Sequence, residues 1–353
     1  MIEDRHFPIH DVRPSDDYIE RWREHIEMTS HPETFDGVST VRPRDLEGIV
    51  LLSGELKIRP HVRDDQEMAP CPLCSPHSPK FMNGRMAWFP HEKTVQFIGH
   101  GCARRHIGEE FNVAERRFKS EWKARRVVEE WATLCAAAPV ALSWARQLLP
   151  ICKAVDNSRL LLVQWADGFS QMVQDEFRRD GGRVYEEGRA FRGTDGKLMS
   201  NRKLLGTIIG LELLTSGYQA GKLQRAIGIL ESHAEALPAL QLGDDAAIKR
   251  IVERGASMRG ALEAVQVVRN HVADARLFFH PNNLALLERW GGLPSSPPTS
   301  LEFRRKGRWI FLDCESYLGA FKARFDLDPD FDGELPDVRL SVLGSSSAKV
   351  AAE

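Results

Sequence analysis

Apolar residues recur at helical spacing through most of this chain and form strand-like runs in only a few short places. Tyr18, Ile19, Trp22 and Ile26 lie one, three or four apart behind Ser15, a helix-capping residue type, and predict one short helix in an otherwise irregular lead. Residues 49–52 and 55–58 flank Ser53-Gly54 and predict a hairpin within 48–60. A second hairpin is expected within 81–98, where apolar runs at 86–89 and 95–98 are joined by Pro90-His91-Glu92-Lys93. From Asn112 the pattern is that of long helices. Phe111, Phe118, Trp122, Trp131 and Leu134 mark one face, and a second stretch carries Leu162, Trp165, Phe169, Met172, Val173 and Phe177 before Gly181-Gly182 stops it. Such aromatic stripes are expected to form seams between packed helices.

Beyond that stop, residues 183–200 read as a polar hairpin around Thr194-Asp195-Gly196. Helices are expected at 203–215, 222–237, 244–278 and 283–290; Gly255 and Gly260 weaken or split the third, at about 1 kcal/mol each relative to alanine. The run PSSPPTS at 294–300 reads as a linker. After it, residues 301–303 and 308–313 flank a Lys306-Gly307 turn, 315–325 is expected to be a short helix, and the closing GSSSAKVAAE to be disordered. The expected fold is mainly α with small β hairpins. Its parts are a lead at 1–69, a compact module at 70–111, a helical body at 112–292, a linker at 293–300, a small α+β piece at 301–340 and a tail at 341–353.

Composition changes this picture little. A hydrophobic share of 42% and a charged share of 28% over 353 residues are ordinary for globular domains, and a net charge of −2 makes no global basic field. The N-terminus has no apolar leader, and the longest apolar segments, at 135–145 and 160–163, are too short to span a bilayer; a cytoplasmic protein without a membrane partner is expected. Local charge says more. Residues 1–79 hold nine Lys and Arg against sixteen Asp and Glu, whereas residues 80–126 hold eleven against five.

Three of the six cysteines fall in one motif: Cys71-Pro72-Leu73-Cys74, then 27 residues, then Cys102-Ala103-Arg104-Arg105-His106. Two thiolates two residues apart can turn inward from one tight loop, and residues four apart share a helix face. Gly99 and Gly101 suit a chain leaving a strand for that helix. A cysteine knuckle, a hairpin and a helix carrying the last two ligands resemble a treble-clef zinc finger over residues 70–111. That resemblance implies one structural Zn²⁺ held by Cys71, Cys74, Cys102 and His106, with His100 and His77 as alternatives to His106. Four protein ligands would leave no open position for chemistry. Cys135, Cys152 and Cys314 lie scattered in apolar context and read as buried small hydrophobes.

Two enzyme patterns compete. Pro70-Cys71-Pro72-Leu73-Cys74 matches half of a zinc deaminase signature, and His25-Ile26-Glu27 or His31-Pro32-Glu33 could supply the other half. Prolines 76 and 79 would break the helix that such a site needs after its second cysteine. His280-Pro281-Asn282-Asn283 has residue types of a His-Asn-His nuclease, against the simpler reading that Asn282 or Asn283 caps the next helix. The favoured expectation is a non-catalytic, zinc-stabilised binding protein. Nucleic acid is its leading partner, through Arg85, Lys93, Arg104, Arg105, Arg116, Arg117 and Lys119. Interleaved glutamates argue for a salt-bridged face instead, and the alternative is a protein–protein adaptor acting through the helical body.

Overall fold

A computed structural model describes residues 4–63, 67–178, 180–192, 198–215 and 217–338. They fall into two compact units, one drawn from residues 1–129 and 238–253, the other from 130–237 and 254–353. Both mix helices with small antiparallel sheets.

The first unit begins with α1 (Asp16–Thr29), whose N-terminus is capped as expected: Tyr18 N–H donates to Ser15 Oγ at 3.2 Å. Its Ile19, Trp22 and Ile26 are buried. The stretch that read as a hairpin is instead one interrupted edge. The strands β1 (Val50–Leu51) and β2 (Leu56–Lys57) both pair antiparallel with β5 (Asn83–Phe89), not with each other. Ser53 explains the difference: its Oγ accepts the Met86 N–H at 2.9 Å, so a side chain fills the gap in the ladder and the chain runs on past Gly54 instead of reversing.

Between these lie β3 (Ala69–Cys71) and β4 (Ser75–Phe81), an antiparallel pair joined by the cysteine turn. On the other side of β5 runs β6 (Thr94–Gly99), completing the hairpin expected from sequence. Alternation along these strands buries both faces of the sheet. Met86, Val95 and Phe97 pack with the α1 residues, while Ala87, Phe89 and Ile98 pack with Leu73, Ala103 and Phe111. Gly84 and Gly99 stand directly opposite each other in the β5–β6 ladder, and the Phe81 ring covers the pair so closely that a Cβ on Gly84 would collide with it. Two helices follow, α2 (His100–His106) and the long α3 (Glu109–Phe177).

Helix α3 holds Pro139 and Pro150 and is broken once, at Ala166, where φ and ψ are −149° and 51°. It contains an 18-residue window of mean hydropathy 1.2, long and apolar enough by length and composition to cross a membrane; one third of that window is buried within the protein. Polar residues interrupt the apolar runs within this helix, so no single run is long enough to mark the window. The aromatic seam is also only partly a seam: Phe111 and Phe169 are buried, but Trp122 and Trp165 are exposed.

In the second unit, β7 (Arg183–Arg192) and β8 (Leu198–Thr207) form a hairpin whose expected turn at 194–196 lies outside the described residues. The helix expected at 203–215 begins as strand, and only α4 (Glu212–Thr215) is helical. Register with β7 continues to Thr207, and Ile208 N–H then donates to Gly182 O at 2.7 Å, so ladder pairing overrides local propensity. There follow α5 (Gln219–Glu231), α6 (Asp245–Arg276), unbroken at Gly255 and Gly260, and α7 (Pro281–Gly291).

The C-terminal part is an all-antiparallel sheet of β9 (Pro298–Lys306), β10 (Trp309–Ser316) and β11 (Gly319–Asp326). Helix was expected at 315–325. A turn at Tyr317-Leu318 with Gly319 at φ 124° sends the chain back, and Ala323 and Phe325 point inward between outward Lys322 and Arg324, the two-residue period of a strand. The proline-rich stretch is packed, not free: Pro298 opens β9, Ser296 Oγ donates to Leu293 O at 2.7 Å, and Gly291 lets Leu301 lie against the helix backbone. Phe303 is the centre of an aromatic cluster, with ring centroids 5.3 Å from Phe169, 6.1 Å from Phe278 and 6.3 Å from Phe279. The expected tail at 341–353 lies outside the described residues.

Candidate metal centre

The cysteine turn and the start of α2 meet on the sheet face that carries Phe89 and Ile98, with Phe111 of α3 in the same apolar cluster. Cys71 ends β3, and Cys74 N–H donates to Cys71 O at 3.2 Å, closing the turn that aims both side chains the same way. Gly99 ends β6 and passes the chain into α2, whose first turn presents Cys102. The three sulfurs lie within 4.8 Å of one another, and Cys74 Sγ and Cys102 Sγ are 3.1 Å apart. The Gly99 and Leu73 N–H groups donate to Cys71 Sγ. Backbone donors aimed at a sulfur favour its thiolate form.

Burial works the other way. It pushes the Cys71 thiol up against the pull of those two N–H groups. Burial, with Cys74 and Cys71 alongside, pushes Cys102 to about 12. Cys71 and Cys102, crowded together with Cys74 and pushed up in this way, stay protonated at neutral pH unless a cation replaces their protons. The donor set therefore fits a metal ion that prefers sulfur; tetrahedral bonds of about 2.3 Å would set the sulfurs about 3.8 Å apart, a small adjustment from the present geometry.

Among the described residues, the group within metal-binding distance consists of these three cysteines, and His106 is not part of it. His106 ends α2 and is half-buried. His100, at the start of α2, packs edge-on against Phe111 and keeps Nδ1 buried without a hydrogen-bond partner. His77 is exposed and 3.4 Å from Asp4.

The histidines of the deaminase pattern are engaged elsewhere. His25 Nε2 lies 2.8 Å from Thr34 Oγ1, and His31 Nδ1 lies 3.1 Å from Glu33 Oε1. Neither joins the sulfur group. The nuclease-like residues are structural. His280, not an asparagine, caps α7, accepting from Asn282 N–H, while the buried Asn283 accepts from Ile209 N–H and donates to Ile209 O and Phe278 O.

The basic residues beside the cysteines are largely paired. Arg85 points inward and meets Glu115 at 2.8 Å; Lys119 and Arg104 approach the same carboxylate at 3.4 Å and 3.8 Å. Burial works to raise the Glu115 carboxyl, but Arg85 and Lys119 outweigh it and hold the carboxyl low. Arg116 pairs with Glu109, Lys93 with Asp11, and Arg117 with Glu121 and Asp245. Arg105 is exposed and makes no ion pair among the described residues. Glu115 is one of the interleaved glutamates expected to make a salt-bridged face, and it stands four residues before Lys119. No protein family, curated protein or solved structure matches the chain.

Proposed function

We propose that residues 70–111 form a treble-clef-like module built around one Zn²⁺, and that the chain is a non-catalytic binding protein stabilised by it. The observation that carries this reading is the convergence of three sulfurs from a tight turn and a helix start, with two backbone N–H groups already aimed at one of them. The metal would hold β3–β4 against α2, a task the small core around Leu73 and Ala103 shares. Either His106 or His100, each close in sequence to Cys102, would complete the four-coordinate site after a local rearrangement.

The proposed partner is nucleic acid, contacted by the exposed cations of α2 and the start of α3: Arg104, Arg105, Arg116 and Lys119. The ion pairs of Arg104, Arg116 and Lys119 are weak enough, at about 0–1 kcal/mol each, for phosphates to replace the carboxylates, and Arg105 makes none among the described residues. The near-complete pairing favours a second reading, a protein adaptor using exposed apolar side chains of α3 such as Val128, Val140 and Leu160. Zinc content of the purified chain beside Cys102→Ser tests the module: one zinc per chain, lost with thermal stability in the variant, is expected, and a metal-free wild type refutes it. Oligonucleotide affinity that falls steeply with salt and drops in Arg104→Ala/Arg105→Ala supports nucleic acid. Absence of such binding leaves the adaptor reading.

A further inference from the structure

The solvent face of the C-terminal sheet carries a row of side chains drawn from all three strands. Phe311 on the central strand stands directly opposite Arg304 on β9 and directly opposite Arg324 on β11. The Arg324 guanidinium lies 5.0 Å over the Trp309 ring and 5.4 Å from that of Phe311. An arginine laid against aromatic rings keeps its N–H edge free for an oxygen anion. Arg324 has no carboxylate partner among the described residues, whereas Arg304 pairs with Glu288 and Glu302, and Lys322 with Asp313.

Across this row stands Trp165, 55% exposed although it lies in the long helix α3. Two local features put it there. Helix α3 is broken at the next residue, Ala166, and Gly168 lets the Phe321 ring of β11 approach the helix so closely that an added Cβ would sit 2.5 Å from it. Helix and sheet thus frame an open cleft of about 470 Å³, lined by Trp165, Phe311, Arg304, Arg324 and Lys322, with the paired carboxylates Glu302 and Asp313. That volume lies within the range of small-ligand sites.

We infer that this cleft binds a nucleotide unit, its base stacked on Trp165 and its phosphate held by Arg324. A flat ring suits an exposed indole, because every base has a π face and stacking is tolerant of sequence. The phosphate suits the one guanidinium in the cleft that lacks a counter-charge. The unit can be a free mononucleotide or part of a single strand. A duplex, with its bases stacked inside, does not offer it. Charges in the cleft are nearly balanced, so stacking dominates and the salt dependence is shallow, about one unit of log–log slope for one neutralised phosphate. The proposed contact at α2 involves several cations and would be steep.

The test is titration of the full chain with a mononucleotide and, separately, with an eight-residue oligothymidylate, followed by calorimetry at two salt concentrations. Binding of either is expected, weakened about tenfold or more by Trp165→Ala and by Arg324→Gln. It should be largely kept by Trp165→Phe and unchanged by Arg104→Ala/Arg105→Ala. Tight mononucleotide binding identifies a small-molecule site, and binding of the oligomer alone identifies a single-strand site. No binding of either, or binding indifferent to Trp165 and Arg324 in variants whose melting is unchanged, overturns the inference. Binding lost only in the Arg104/Arg105 variant would support the α2 contact and overturn this one.

Discussion

Arg63 and Glu33 form an ion pair almost out of water, with Nη2 at 2.9 Å from Oε1 and side chains only 2% and 10% exposed. Arg63 Nη1 also donates to Ser30 O at 2.9 Å, so the guanidinium ties the end of α1 to the turn that follows it. Glu33 is one of the two glutamates, with Glu27, that could serve a deaminase as a proton shuttle, and here its carboxylate is committed to an arginine. Breaking one side of such a pair leaves a buried charge alone. Arg63→Met is expected to cost about 3–5 kcal/mol in denaturant unfolding, with much of that recovered in Arg63→Met/Glu33→Leu. A single variant as stable as wild type would show that the pair is not desolvated.

The identity of the fourth metal ligand is open to a direct comparison. His106→Ala and His100→Ala, each assayed for bound zinc and for cobalt absorption in the substituted protein, should differ. The variant that loses the tetrahedral cobalt spectrum names the ligand. Retention of that spectrum in both would point to a site closed by something other than a histidine of α2.

Gly168 is expected to tolerate no side chain. Alanine there meets Phe321 Cε1 and Cζ at 2.5 Å, and overpacking of this kind costs about 1–3 kcal/mol. Adding Phe321→Leu should relieve most of the loss. If Gly168→Ala alone melts like wild type, the helix and β11 are not in the close contact described.

Asp156, buried in α3, accepts the Ala220 N–H at 2.7 Å and so caps the start of α5 from a neighbouring helix. Asp156→Ala should cost about 1–2 kcal/mol at neutral pH, because it strands buried backbone donors. Burial pushes this carboxyl above its ordinary value of 3.8, against the pull of the Ala220 and Gln219 N–H groups. The folded state therefore holds the proton more tightly than the unfolded state, and its contribution weakens as pH rises through the raised pKa. The stability of wild type relative to Asp156→Asn should improve as pH falls from neutral toward 4; an unchanged difference would mean the pKa is not raised.

Much of this was legible along the chain, and the failures have physical causes. Ser15 capping α1, the β5–β6 hairpin and the convergence of Cys71, Cys74 and Cys102 all rest on local spacing, which sequence displays directly. The turn expected at Ser53-Gly54 failed because Ser53 bonds to Met86, thirty-three residues away, and no local signal announces that partner. Likewise 203–215 and 315–325 were assigned helical from residue types, while their strand character comes from pairing with β7 and β10. The Arg304–Phe311–Arg324 row stayed invisible for the same reason, since register joins residues from three strands.

The Phe81 ring over the Gly84–Gly99 pair bears on how this chain can drift over evolutionary time. A methyl group at Gly84 is excluded by the Phe81 ring, by the Phe97 ring at 2.6 Å and by the Ile98 carbonyl oxygen at 2.8 Å, whereas one at Gly99 meets the Phe81 ring at 3.0 Å. Lineages that shrink residue 81 therefore gain room at 99 but not at 84, where the Phe97 ring and the Ile98 carbonyl oxygen still stand. Homologues aligned across this hairpin should keep glycine at 84 while 81 and 99 vary together, a mark beside the cysteines by which distant kin could be recognised after overall resemblance has faded.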